Sequence, residues 1–362
     1  MIKYLGSKRR LVPVLSAMVQ ATRARTTLDL FTGTTRVAQA MKALGTEVTA
    51  VDVARYSEMF ARCYIETDAD AIDERELTDA LGKLESLSPR PGYVTETFCV
   101  RSRFFQPFNG ERIDAIRDAI EREYLGSPLY PILLTSLIEA ADRVDSTTGV
   151  QMAYVKEWAP RSFNHLALRV PALLGGPGHA VRGDACELAS VLGHFDVAYV
   201  DPPYNQHRYF SNYHVWETLV AWDAPEHYGV ACKRADTRQA ETKSVFNSKR
   251  TMPAALAQVL GSLDCELLVL SYNDESWLTL DELVSMCSQH ETVRALGFDQ
   301  PRYVGARIGI HNPAGQRVGT VGHLRNTEYL VVAGSATAVD KAVAAAAPFV
   351  GASNARKPAI SH

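Results

Sequence analysis

What this 362-residue chain lacks narrows its chemistry before any motif is found. Its six cysteines (Cys63, Cys99, Cys186, Cys232, Cys265, Cys287) never fall into a C-x-x-C pair. They read as reduced packing residues, neither a disulfide framework nor a zinc site. The ten histidines are dispersed with no H-E-x-x-H, and no metal is expected. No apolar run approaches the ~20 residues that cross a bilayer. Lys3, Lys8, Arg9 and Arg10 near the amino terminus are not followed by a signal-type apolar core. A cytoplasmic protein that does not engage membranes is therefore the expectation. Neither G-x-G-x-x-G nor G-x-x-x-x-G-K-S/T occurs, which disfavours a ligand held by its phosphates. No charge sign dominates: 38 basic and 41 acidic residues leave a net charge of −3. That argues against a chain that coats a polyanion with its whole surface. It leaves room for a nucleic-acid enzyme whose basic residues sit on one face.

Against these absences stands Asp201-Pro202-Pro203-Tyr204, directly after the apolar run Phe195 to Val200. Each proline fixes its own φ and removes a donor, and residues preceding proline are pushed toward extended backbone. A strand that ends this way offers a carboxylate, a free carbonyl and a flat ring from one stiff corner. Those three groups suit a planar molecule bearing an exocyclic amine. A rigid surface loop is the plainer reading of the same four residues. The end of a central strand, where open α/β sheets bind ligands, favours the functional one.

The rest of the chain reads as α/β. Thr27 to Phe31 predicts a strand, Val37 to Leu44 a helix stopped by Gly45, and Glu47 to Val53 a second strand. Such a strand–helix–strand unit is the mark of a parallel sheet. Ala54 to about Leu87 reads as helical, and Ser88 to Gly92 breaks the chain. From Tyr93 to about Pro171 the character shifts: Arg101, Arg103, Phe104, Phe105 and Phe108 interleave bases with aromatics, and Pro131 to Val144 is an apolar helix. We assign 93–170 to an inserted helical subdomain and 1–92 with 171–335 to one discontinuous catalytic domain. Further strands are expected at 180–184, 266–270 and 329–332, and 344–362 is expected to be a disordered tail.

A second constellation lies near the start. Asp29-Leu30-Phe31-Thr32-Gly33 makes a tight turn in which Gly33 permits close backbone approach. Asp52, about twenty residues on at the next strand end, stands where an acid binds ribose hydroxyls, and equally where it would cap a helix. With no phosphate loop, a nucleoside without phosphates is the better ligand. S-adenosylmethionine is the nucleoside cofactor that serves a nucleophilic amine.

These segments together resemble the Dam-like, D12-class adenine-specific DNA N6-methyltransferases. The likeness is carried by Lys3-Tyr4-Leu5-Gly6-Ser7-Lys8, Asp29 to Gly33, Val51-Asp52, Gly183-Asp184 and Asp201 to Tyr204. Tyr209 to Leu219, Phe246 to Lys249, Leu270 to Asn273 and Glu328 to Leu330 extend it over about 1–335. One departure is Thr35, which stands where the family's turn commonly has a second glycine. The resemblance implies a Rossmann-like methyltransferase sheet with an inserted target-recognition subdomain. It implies S-adenosylmethionine held by Tyr4, Lys8, Asp29, Phe31, Gly33, Asp52 and Asp184, with Tyr4 and Lys8 at the adenine and methionine ends. Asp201, Pro202 and Tyr204 are the implied catalytic residues, acting on an adenine flipped out of double-stranded DNA.

DNA contacts are expected from Arg101, Arg103, Lys249 and Arg250, each of which reads equally as solvated charge. The basic stretch 233–250 is likewise either a solvated loop or a phosphate-contacting one. His207, Tyr209, Asn212, Tyr213 and His214 are candidates for the flipped-base pocket, with Tyr213 and Trp216 equally suited to the core. A monomer or weak dimer is expected, with a cognate restriction endonuclease as a partner the resemblance allows. Competing readings keep the cofactor and change the acceptor to RNA adenine or a protein amide, or make the chain an inactive nucleic-acid-binding scaffold. The acid at 201 disfavours the amide reading, since amide methyltransferases of this kind usually carry Asn-Pro-Pro-Tyr.

Overall fold

Alternation along the central strands decides the architecture. In the computed structural model, which describes residues 2–155, 157–206, 208–301, 310–311, 317–319 and 325–352, the strand side chains divide between two apolar layers. The first half contributes α1 (Val12–Thr22), β1 (Thr26–Leu30), α2 (Arg36–Lys42), β2 (Glu47–Asp52), α3 (Arg55–Ala61) and α4 (Glu74–Glu85). Next come α5 (Pro107–Tyr124), α6 (Tyr130–Val144), β3 (Gly178–Arg182), α7 (Ala185–Leu188), β4 (His194–Val200), α8 (Tyr209–Asn212) and α9 (His214–Ala221). The chain continues with a short hairpin of β5 (His227–Tyr228) and β6 (Lys233–Arg234), then α10 (Met252–Ser262), β7 (Asp264–Asn273) and α11 (Leu280–Met286). It closes with β8 (Thr292–Pro301), the small pair β9 (Ile310–His311) and β10 (Arg317–Gly319), β11 (Arg325–Gly334) and α12 (Ala336–Ala352).

Seven strands form one sheet in the order β3-β2-β1-β4-β7-β11-β8. The first five run parallel, and β11 inserts antiparallel between β7 and β8. Val197, Tyr199, Leu267, Val269, Leu330 and Val332 face one layer, built with α1, α2, α3, α5, α6, α9 and α12. Their neighbours Ala198, Val200, Leu268, Leu270, Val331 and Ala333 face the other, covered by α7, α10 and α11. Burial on both faces is what near-continuous apolar strands in a parallel sheet require. The fold is the Rossmann-like α/β sheet that the sequence implied.

Within segment 93–170 the helices are a π-helical turn at Thr95–Val100 followed by α5 and α6, and the described residues after Val144 are irregular apart from a short 3-10 turn at Pro160–Phe163. Its Phe98, Phe104, Ile116, Leu133 and Leu137 join the same apolar layer as α1 and the sheet. Residues 344–352 depart from the expected tail. They continue α12, because Val339, Ala342 and Ala346 on its inner side are completely buried. The remainder of that tail, 353–362, lies outside the described residues, as does His207. The strand β8 at the sheet's edge has no counterpart among the sequence expectations. Among the described residues no helix is long and apolar enough to cross a membrane.

Candidate active site

Strand order reverses between β1 and β4, and the crevice at such a point opens at the carboxyl ends of the strands. Backbone bonds tie those ends together. Asp201 N–H reaches the Leu30 carbonyl at 3.4 Å, and Phe31 and Thr32 N–H donate to the Val51 carbonyl at 3.0 and 2.9 Å. Gly183 N–H donates to the Asp52 carbonyl at 3.1 Å. A cavity of about 240 Å³ lies over this edge. Its wall includes Tyr4, Phe31, Asp52 and Asp184 together with Asp201, Pro202, Pro203 and Tyr204. The two constellations inferred separately thus share one cavity.

At the first of these, the backbone of Gly33 is left-handed, φ +53°, and a Cβ there would meet the Tyr4 ring at 3.0 Å. Glycine is needed both for the φ and for that approach. Asp52 accepts from Gly33 N–H at 2.9 Å through one oxygen and from Ala54 N–H at 3.0 Å through the other. It therefore braces the turn and opens α3 while facing the cavity. Burial raises its pKa above the ordinary carboxyl value. Asp184 caps α7, accepting from Cys186 N–H at 2.8 Å.

Three expected cofactor contacts, Gly33, Asp29 and Lys8, are absent from the cavity wall. Asp29 is buried behind the turn, accepting from Thr32 Oγ1 at 2.8 Å and Ala38 N–H at 3.0 Å, and is absent from the cavity wall. It fixes the turn to α2. Burial pushes its carboxyl up to about 7. Lys8 is also off the wall. Its ammonium lies 3.1 Å from Asp201 Oδ1 and bonds to Glu328 Oε1. Burial works to lower the Lys8 pKa, but the two carboxylates hold it well above the ordinary value. Thr35, in the family's glycine position, also has a left-handed backbone with φ +60°. Its hydroxyl donates to the Thr34 carbonyl at 2.6 Å and accepts from Gln39 Nε2 at 2.8 Å, which secures a conformation unfavourable for a β-branched residue.

At the second constellation, burial raises Asp201 to about 6 against the lowering pull of Lys8. Pro202 has no N–H to occupy its neighbours' acceptors. Tyr204 packs on Tyr272 with ring centroids 5.3 Å apart, and Lys8 Nζ lies 5.5 Å from its ring centre. The loop is pinned from outside: Asn247 Nδ2 donates to the Asn205 carbonyl at 2.9 Å, and Phe246 meets Phe31 edge-on at 5.0 Å.

Several wall residues lie outside the set expected from sequence. Glu217 on α9 is almost fully buried, lines the cavity and is pushed up by burial to about 7. Arg55 Nε lies 3.5 Å from it. The wall also includes Phe246 from the 241–247 loop. Nothing in the local pattern around Glu217 marks it, since an acid within an apolar helix reads as its solvent side. Of the pocket candidates after the corner, Tyr209 lines the cavity and stacks on Tyr4 at 5.4 Å. Tyr213 and Trp216 are core, although the Tyr213 hydroxyl accepts from Leu5 N–H at 2.6 Å. His214 is buried with Nε2 3.0 Å from the Gln151 carbonyl, and burial drives its pKa down to about 3. The Asn212 carbonyl accepts from Gln151 N–H at 2.7 Å.

None of the four expected DNA contacts lines the cavity. Arg101 is exposed and paired with Glu96 at 2.9 Å, and Arg103 lies over the Trp158 ring at 4.7 Å. Lys249 and Arg250 are exposed. Within 233–250, Arg234 is buried and held by Asp223 and Asp236, both at 2.7 Å, so its charge is spent internally.

Comparison with known proteins gives a consistent answer. The family model for D12 class N6 adenine-specific DNA methyltransferase matches residues 4–286. The chain is 30% identical over 298 residues to the type II methyltransferase M.NlaIII of Neisseria lactamica, covering 78% of this chain and 86% of that protein. It is 28% identical over 306 residues to modification methylase StsI of Streptococcus sanguinis, covering 80% and 46% respectively. To the type II methyltransferase M.FokI of Planomicrobium okeanokoites it is 28% identical over 327 residues, covering 83% and 50%. The chain thus spans most of the first relative and about half the length of the other two.

Proposed function

This chain belongs to the D12 class of N6 adenine-specific DNA methyltransferases, and on that premise we propose that its cleft moves a methyl group from S-adenosylmethionine to a flipped-out adenine. The observation that carries the reading is the cavity whose wall holds Asp52 and Asp184 together with Asp201 to Tyr204. Its mixture of aromatic rings and carboxylates suits a nucleoside that bears positive charge. Tyr4, Phe31, Asp52 and Asp184 would hold that cofactor, with Gly33, Lys8 and Asp29 supporting the wall from behind. When bound, it supplies an electrophilic methyl group on a sulfonium.

The protein's own part is orientation and charge. Adenine N6 is a weak nucleophile because its lone pair is delocalised into the ring. Asp201 and the Pro202 carbonyl accept its two N–H bonds and favour a tetrahedral nitrogen with an available pair. Tyr204 stacks on the base. As N6 gains positive character the Asp201 carboxylate stabilises it and stands nearest to take the departing proton. A stacked base cannot enter this corner, so the duplex must release it at a cost of a few kcal/mol. Arg101, Arg103, Lys249 and Arg250 then serve as phosphate or base-edge contacts, and 93–170 serves as the target-recognition insert. The type II names of the relatives favour a cognate restriction endonuclease acting at the same sequence.

The test offers duplex DNA, structured RNA and a protein extract in parallel with methyl-tritiated cofactor, followed by nucleoside analysis. Label in DNA as N6-methyladenine is the expected result. Label confined to RNA or protein contradicts the reading.

A further inference from the structure

Glu328 lies on β11, beyond the residues 4–286 that the family model matches, yet its side chain reaches the catalytic corner. It is buried and accepts three hydrogen bonds. One comes from the Lys8 ammonium, one from Ser271 Oγ at 2.8 Å and one from Asn273 Nδ2 at 3.3 Å. Both donors on β7 are set by the antiparallel register that pairs Glu328 with Asn273 and Leu330 with Ser271. A carboxylate enclosed this completely costs stability unless its partners are in place. Here its main partner is a lysine that also touches Asp201.

One ammonium stands between two carboxylates, so the cluster keeps one net negative charge. Without Glu328, Lys8 would neutralise Asp201 alone. With it, the ammonium is shared, and it lies 3.1 Å from Oδ1 of Asp201; among the described residues Oδ2 has no hydrogen-bond partner. We propose that Glu328 is a positioning residue for methyl transfer, holding Lys8 so that Asp201 keeps one oxygen and its negative charge for the substrate amine. The inference rests on the role assigned to Asp201 above. Its electrostatic direction agrees with the surroundings. Burial is the chief influence raising the Asp201 pKa, Lys8 lowers it, and Glu328 raises it. The other titratable groups around the cluster are Tyr199 on β4, Tyr204 in the corner, Tyr209 on α8 and Asp29 on β1.

The experiment measures kcat for adenine methylation in duplex DNA between about pH 5 and pH 9 for the wild type, Glu328→Gln and Glu328→Asp. Cofactor binding by calorimetry runs alongside. Glu328→Gln should lower kcat about tenfold, leave KM for DNA within about twofold, and move the acid limb to lower pH. Glu328→Asp keeps the charge and should recover most of kcat, with the limb returning toward its wild-type position. A wild-type kcat and an unmoved limb in Glu328→Gln overturn the proposal. So does loss of fold or of cofactor binding in both variants, which makes the residue merely structural. If the wild type itself leaves adenine unmodified, the assignment of Asp201 falls and the proposal falls with it, an outcome separable from any effect of Glu328.

Discussion

Burial raises both Asp29 and Asp201, and each carboxyl meets it with different partners. Asp201 has the Lys8 ammonium 3.1 Å away and is held at about 6, so it is ionised at neutral pH. Asp29 has only a hydroxyl and an amide as donors and rises to about 7. An acid whose folded pKa is raised keeps its proton in the folded chain after the unfolded chain has lost it. Its contribution to stability therefore declines as pH rises from the ordinary carboxyl range to about 7 and is level above that. Asp29→Asn keeps an acceptor for Thr32 and Ala38 and has no such dependence. Denaturant unfolding at several pH values should show the variant gaining on the wild type across that window. A constant difference would mean that Asp29 is not raised. Thr35 shows the same economy in backbone terms: left-handed strain of about 1–2 kcal/mol is tolerated where its hydroxyl bonds on both sides.

At the scale of elements, the site depends on where strands stop and what holds the segments between them. The amino-terminal segment carrying Tyr4 and Lys8 is fixed by α1, whose Val14, Leu15, Met18 and Val19 are buried in the layer shared with α12. Leu15→Ala should cost about 2–5 kcal/mol in denaturant unfolding. Cofactor affinity of the folded fraction should stay near wild type, because α1 does not touch the cavity. A loss below about 1 kcal/mol would show that this layer repacks freely. The strands β1, β2 and β4 were legible in the sequence because each pairs an apolar run with a polar or proline stop. Asp52 and Asp201 at their ends were legible for the same reason. Strand β8 was not, since Thr292 to Pro301 mixes polar and apolar residues around Gly297 and gains its pairing only from β11. The helical end of 344–352 was hidden as well, because alanines look like tail composition until α1 covers them. Lys8 was found, but its partner Glu328 is 320 positions away, and no local period reports such a contact.

For the whole molecule, a net charge of −3 and a cavity edged by carboxylates favour phosphate contacts outside the cleft. The exposed Lys249 and Arg250 follow the loop that latches Asn247 to Asn205, which puts candidate phosphate contacts next in sequence to the catalytic corner. Methyl transfer here depends on Asp201 acting in the same cavity that Asp52 faces. Replacing it with alanine leaves Lys8 paired with Glu328, so neither buried charge loses its last partner. The decisive measurement is single-turnover methylation of duplex DNA by Asp201→Ala, with cofactor binding to the same protein followed by calorimetry. Methylation slowed about a thousandfold or more, with the cofactor bound within about threefold of wild type, is the expected result. Methylation at the wild-type rate would contradict it.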